Sequence, residues 1–264
     1  MNFTILYRLL VMVTGLGNPD GMPGFKIVDD SSAKRAVALY ADDSSKFEAV
    51  VYQARLDKNQ WRLALFAHEY LAAKPKSEQR KCSFAMSYFE SLGFGTYDSI
   101  PKDKVVKLQG LYGEAIRCIK EAVTALPESV TAHLTYGKYY MSQNGYEKVQ
   151  PMLHEFRTAV KLGPNRGWTH YWLATGYNSS GDATIKTTQR IIQEFKRALE
   201  LDPRLTSSYL SISYAYMWPC MEDSKNSRIY LAKYLAVRPD QAQEPSIKKF
   251  DAYIRAKEAQ PRKK

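Results

Sequence analysis

Residues 191–203 read IIQEFKRALELDP. Ile191, Phe195 and Ala198 stand twelve, eight and five residues before Pro203, a spacing that lines one face of a helix. A proline just past the last periodic residue cannot continue that helix, and it turns the residue before it away from the helical region. The same spelling recurs upstream. Residues 152–164, MLHEFRTAVKLGP, place Met152, Phe156 and Ala159 before Pro164, and residues 115–127, AIRCIKEAVTALP, place Ala115, Ile119 and Ala122 before Pro127. Pro75, closing YLAAKP, and Pro239, closing YLAVRP, complete five such stops. The chain therefore repeats a unit.

A second periodic stretch precedes three of these helices, joined to each by a short polar segment. It reads His133, Tyr136, Gly137, Tyr140 before Pro164; Trp172, Thr175, Gly176 before Pro203; and Tyr209, Ile212, Ser213, Tyr216 before Pro239. A Gly or Ser lets two antiparallel helices approach closely, while the aromatic residues fill the space between neighbouring hairpins. This alternation resembles the tetratricopeptide repeat, whose first helix carries W-x2-L-G-x2-Y and whose second carries A-x3-F and a closing proline. The resemblance implies an all-α fold, a right-handed α-solenoid of about five antiparallel hairpins with a C-terminal capping helix. Expected units are 44–77, 78–129 with an insertion at 92–109, 130–168, 169–205 and 206–240. Residues 241–264 would supply the capping helix and a basic tail, and residues 1–43 a short helix near 32–40.

Composition bounds what such an array can do. With 264 residues and 45% hydrophobic content including 19 Tyr, the chain can bury a sizeable core and does not read as disordered. No apolar run approaches the roughly 18 residues of a membrane span. The apolar start ILYRLLVMV, residues 5–13, is broken by Arg8 and is short for a signal-peptide core; a cytoplasmic location is expected, with export through an atypical N-terminal signal as the alternative. A net charge of +11 favours acidic partners. Seven cations against three acids in residues 241–264 concentrate part of it at the end, and the remainder reads as solvated helix faces. Cys82, Cys118 and Cys220 fit neither a disulfide framework nor a metal pattern.

Catalytic constellations are not evident. His68, His133, His154 and His170 are too far apart for a metal pair on one helix turn, and His133 occupies a signature aromatic position that points to packing. Asp29, Asp30, Asp42 and Asp43 precede serines at two helix starts, where carboxylates and hydroxyls cap. Gly15, Gly17 and Gly21 miss the dinucleotide-loop spacing by one residue and meet Pro19, which makes a turn.

What remains is a surface. The resemblance implies that first helices line a concave groove that holds a peptide or helix of a partner protein. Carried onto this sequence, the groove positions are Tyr52, Met86, Leu134, Lys138, Leu173, Tyr177, Leu210 and Tyr214. Lys138 alone of these is of the Asn, Lys or Arg kind that a carboxylate clamp clusters, so the sequence departs from that pattern. Phe94 and Tyr97 give the 92–109 insertion apolar weight, so it is expected to lean over the groove mouth. The expected function is a non-catalytic interaction module, needing no cofactor, with a protein or peptide partner. The alternative is a nucleic-acid or anionic-surface binder working through the basic C-terminal segment.

Overall fold

A computed structural model of the chain describes residues 26–56, 59–92, 100–143 and 145–259; the side chains of residues 52, 55, 56 and 92 are also outside the description. Among these residues there are thirteen α-helices and no strands. They gather into two compact units, one within Asn18–Pro164 and the other within Asn165–Lys264.

The first unit holds α1 (Asp30–Tyr40), α2 (Ser44–Leu56), α3 (Gln60–Ala72), α4 (Glu78–Leu92), α5 (Lys102–Gly110), α6 (Tyr112–Ala125), α7 (Val130–Ser142) and α8 (Val149–Leu162). The second holds α9 (Gly167–Ser179), α10 (Ile185–Leu201), α11 (Ser207–Tyr216), α12 (Ser224–Val237) and α13 (Pro245–Glu258). Successive helices pair as antiparallel hairpins: α7 on α8, α9 on α10 and α11 on α12, with α4 on α6 across the insertion.

The prolines act as the sequence leads one to expect. Helices α3, α6, α8, α10 and α12 end two or three residues before Pro75, Pro127, Pro164, Pro203 and Pro239 respectively. Four of these ends share one closure. Leu126 N–H donates to Ala122 O, Gly163 to Ala159, Asp202 to Ala198 and Arg238 to Tyr234, at 2.8–2.9 Å, each acceptor standing five residues before its proline. A last helical bond forms and the chain then turns, because the proline nitrogen has no hydrogen to give.

The starts are capped by hydroxyls and carboxylates. Ser129 Oγ accepts Ala132 N–H at 3.2 Å, Thr184 Oγ1 accepts Thr187 N–H at 3.2 Å, and Asp223 Oδ1 accepts Asn226 N–H at 3.1 Å. At α1 the cap is Asp29, which accepts Ser32 N–H at 2.7 Å while Ser32 Oγ accepts Asp29 N–H at 3.1 Å. That reciprocal arrangement is a capping box. Asp43 Oδ1 likewise accepts Lys46 N–H in the first turn of α2. Asp42 departs from the capping expectation: it receives Nη2 of buried Arg80 at 3.0 Å and the Tyr70 hydroxyl at 3.0 Å, joining α1's end to α3 and α4.

Close helix contact follows the small residues. A Cβ on Gly137 would lie 2.4 Å from the ring of Phe156 on α8, so only glycine admits that ring. In α11 the corresponding residue is Ser213, which solves the same contact with polar atoms. Its Oγ donates to Ser227 O at 2.7 Å, and Ser227 Oγ donates back to Ser213 O at 2.8 Å.

The described part of the 92–109 insertion is a helix. Ile100 and Leu108 are buried, α5 rests on α3, and Lys107 meets Glu69 of α3 at 3.2 Å. The insertion is thus docked on a second helix of the array over this stretch, while Phe94 and Tyr97 lie outside the described residues.

Candidate interaction surface

Four of the eight expected groove residues are core. Met86, Leu134, Leu173 and Leu210 are each at most 5% exposed, so they act as supports beneath any surface their helices present. Lys138 is half-buried and its Nζ meets Glu90 of α4 at 3.3 Å. Nearby, Thr131 Oγ1 donates to Glu48 of α2 at 3.2 Å, so α2, α4 and α7 share a polar seam.

Tyr177 keeps a half-exposed position on α9. Tyr214 is half-buried, and its ring lies flat on Phe250 of α13 with centroids 3.9 Å apart. One face of Tyr214 is therefore occupied within the chain, and burial pushes its phenol pKa up. The side chain of Tyr52 lies outside the described residues.

A larger aromatic feature, unmarked by the groove positions, rises beside Lys138. Buried Phe89 of α4 touches Tyr139 of α7 at 5.5 Å between centroids, and Tyr139 stacks on Tyr136 at 5.7 Å and 7°. Tyr136 in turn meets Tyr140 at 4.7 Å and accepts its hydroxyl at 2.9 Å. Tyr88 carries the contact to Tyr112 of α6, whose hydroxyl accepts Gln143 Nε2 at 2.6 Å. Tyr112 is exposed, and Tyr136, Tyr139 and Tyr140 are half-buried. Four phenols thus stand at the surface on rings already held by neighbours. The signal was in the sequence as the run Tyr136, Gly137, Lys138, Tyr139, Tyr140; periodicity alone assigned two of its tyrosines to packing.

Two histidines hold hairpins together. His133 Nδ1 lies 2.7 Å from Glu155 Oε2 on α8 and its Nε2 lies 2.9 Å from Pro127 O. Both partners are acceptors, so both ring nitrogens are set to donate. The bond to Glu155 raises the His133 pKa, against the opposing effect of burial, and the Pro127 carbonyl adds to the rise. His170 Nδ1 makes the same kind of contact with Glu194 of α10 at 2.6 Å. These are structural pairs on helix-to-helix contacts. Packing at His133, as expected from its position, is here packing around an ion pair.

Cys82 and Cys118 show no sign of activation. Cys82 and Cys118 are free and buried, and burial pushes their pKa values up to about 12 and about 11, away from the thiolate that nucleophilic chemistry needs. Among the described residues no cluster of three His, Cys, Asp or Glu side chains is arranged to hold a metal ion, and no helix is long and apolar enough to cross a membrane.

Paired helices of this length, with small residues at the crossings and proline stops, can be compared with known structures. TTC0263, a thermophilic TPR protein in Thermus thermophilus, aligns over 82% of this chain and 100% of its own, with a TM-score of 0.51 at 14% identity. The fold is of the tetratricopeptide type. Yeast Tom70 aligns over 87% of this chain and 42% of its own, also with a TM-score of 0.51, at 13% identity. No family model and no curated protein matches the sequence. The likeness is one of fold, and the surface has to be read from its own residues.

Proposed function

We propose that this chain is a non-catalytic protein-interaction module that takes a peptide or helix of a partner protein. The observation that carries the reading is the cluster Tyr112, Tyr136, Tyr139 and Tyr140. Tyrosine offers a large amphipathic contact at small conformational cost, and here ring contacts fix the side chains before any partner arrives, which lowers the entropy lost on binding. The Lys138–Glu90 pair, with side chains 11% and 5% exposed, lies beneath its edge and braces α7 on α4. Of the groove positions read from the repeat pattern, Tyr177 keeps surface to contribute, with Met86, Leu134, Leu173, Leu210 and the paired Lys138 beneath.

The basic C-terminal segment supports a nucleic-acid or anionic-surface role less well, since two of the four cations among its described residues are answered within the chain. Arg255 pairs with Asp251 at 2.7 Å and Lys257 with Glu222 at 3.0 Å.

The test is comparative affinity capture from the native host, using the full chain and a Tyr112→Ala/Tyr140→Ala variant whose helical circular dichroism is verified first. Proteins held by the parent and lost by the variant are the expected result, with a loss of about 2 kcal/mol for anchoring tyrosines when one of them is titrated. An identical captured set would remove the tyrosine cluster from the binding surface.

A further inference from the structure

Lys196 breaks a pattern kept by every other buried or half-buried lysine of the described residues. Lys81 meets Glu78 and Glu121, Lys104 meets Asp103, Lys138 meets Glu90, Lys148 meets Glu147 and Lys257 meets Glu222. Lys196, half-buried on α10, meets no carboxylate among the described residues. Two acids on its own helix are engaged elsewhere, Glu194 by His170 and Glu200 by Arg197.

Tyrosines surround it instead. The Lys196 ammonium lies 5.7 Å from the ring centroid of Tyr230 on α12. That ring is 5.8 Å from Tyr216 and 6.4 Å from Tyr209, both on α11. Lys233, exposed, approaches the same ring to 4.8 Å. Burial works against the Lys196 charge, and the neighbouring phenols of Tyr230 and Tyr216 outweigh it, so its pKa is raised. The lysine therefore stays charged, partly withdrawn from water, with aromatic rings and hydroxyls but no anion beside it.

We propose that Lys196, Tyr216 and Tyr230, with Tyr209 and Lys233 at the rim, form a binding seat for a carboxylate side chain on an acidic segment of a partner protein. A half-withdrawn ammonium gains most from a charge-assisted hydrogen bond. The phenols can donate to the second carboxylate oxygen, and their ring faces accept the methylenes of a Glu or Asp stem. Both cations facing Tyr230 are lysines, point charges on flexible stems that suit a single carboxylate, whereas forked recognition of phosphate is better served by arginine. The seat shares no residue with the tyrosine cluster of α4, α6 and α7, so either can fail without the other.

The experiment titrates the full chain into a fluorescein-labelled hexaglutamate peptide, read by fluorescence anisotropy. Lys196→Met is expected to weaken binding about tenfold, the loss of one charge-assisted bond. Tyr230→Phe is expected to weaken it about threefold, and Lys186→Met, an exposed lysine of the same helix, by less than about twofold. Without peptide, Lys196→Met is expected to leave the denaturation midpoint unchanged or raised, which a purely structural lysine would not. Equal weakening by Lys196→Met and Lys186→Met would show diffuse attraction and overturn the seat. So would absence of binding at about 1 mM chain, or inorganic phosphate displacing the peptide more effectively than free glutamate does.

Discussion

Hairpins α7–α8 and α9–α10 solve one problem in two ways. Glu155 and Glu194 occupy the same place in their repeats, one residue before Phe156 and Phe195 and 39 residues apart. Each is answered by a histidine, yet the histidines do not correspond. His133 stands four residues before Gly137, where the next hairpin has Trp172, and His170 stands six before Gly176. The carboxylate recurs with the repeat and its partner does not. A carboxylate drawn into a helix crossing needs a hydrogen-bonded counter-charge, and which position supplies one depends on how each pair of helices crosses. The side chain of Glu155 is 10% exposed and that of Glu194 is 27% exposed, so the two pairs should differ in what they contribute.

Removing the histidines gives the largest expected effect. His133→Ala strands Glu155 and should cost about 3 kcal/mol, while His170→Ala, leaving Glu194 closer to water, should cost about 1 kcal/mol. Equal losses in urea denaturation would mean that burial does not distinguish the pairs. Gly137→Leu comes next, at about 2 to 3 kcal/mol, because a Cβ already lands 2.4 Å from the core ring of Phe156. An unchanged midpoint would show that α7 and α8 can separate freely.

A smaller difference should appear with pH. The His133 pKa is raised in the folded chain, so the stability it contributes is complete below the unfolded value of about 6.5 and lost as pH rises through the higher folded value. The parent should therefore lose stability relative to His133→Gln on going from about pH 6 to about pH 9. A constant gap between the two would exclude a titrating pair. The smallest effect lies outside both hairpins. A Cβ on Gly113, in the first turn of α6, meets nothing within 4 Å, and Gly113→Ala should stabilise by about 0.5 kcal/mol through helix propensity. Destabilisation there would reveal a close contact that the open space does not suggest.

Helix positions were legible along the chain because they rest on local chemistry. A face at fixed spacing, a hydroxyl at the start and a proline past the end act over a few residues, so Ala122, Ala159 and Ala198 could be placed before any packing was known. The likeness of Gly137, Gly176 and Ser213 was equally readable, since close helix contact excludes large side chains. Groove positions were less so. They were transferred by register, and register does not say which side chain a neighbouring helix will cover: Leu134 and Leu210 became core, and Phe250, distant in sequence, lay down on Tyr214.

Local sequence set the all-helical repeat, the proline stops that end its helices and the small residues at the crossings of Gly137 and Ser213, since each depends on contacts within a few turns or one hairpin. Tertiary structure decided the pairing of charges and rings. Asp42 beside Arg80, Glu155 beside His133, and Tyr112 beside Gln143 join residues 22 to 38 positions apart, and no helical period encodes those distances. Lys196 shows the same division from the other side. Its place on α10 follows from periodicity, but its lack of a carboxylate emerges only when α11 and α12 pack against it and offer tyrosines, because a charge's partner is set by what folding brings within about 4 Å.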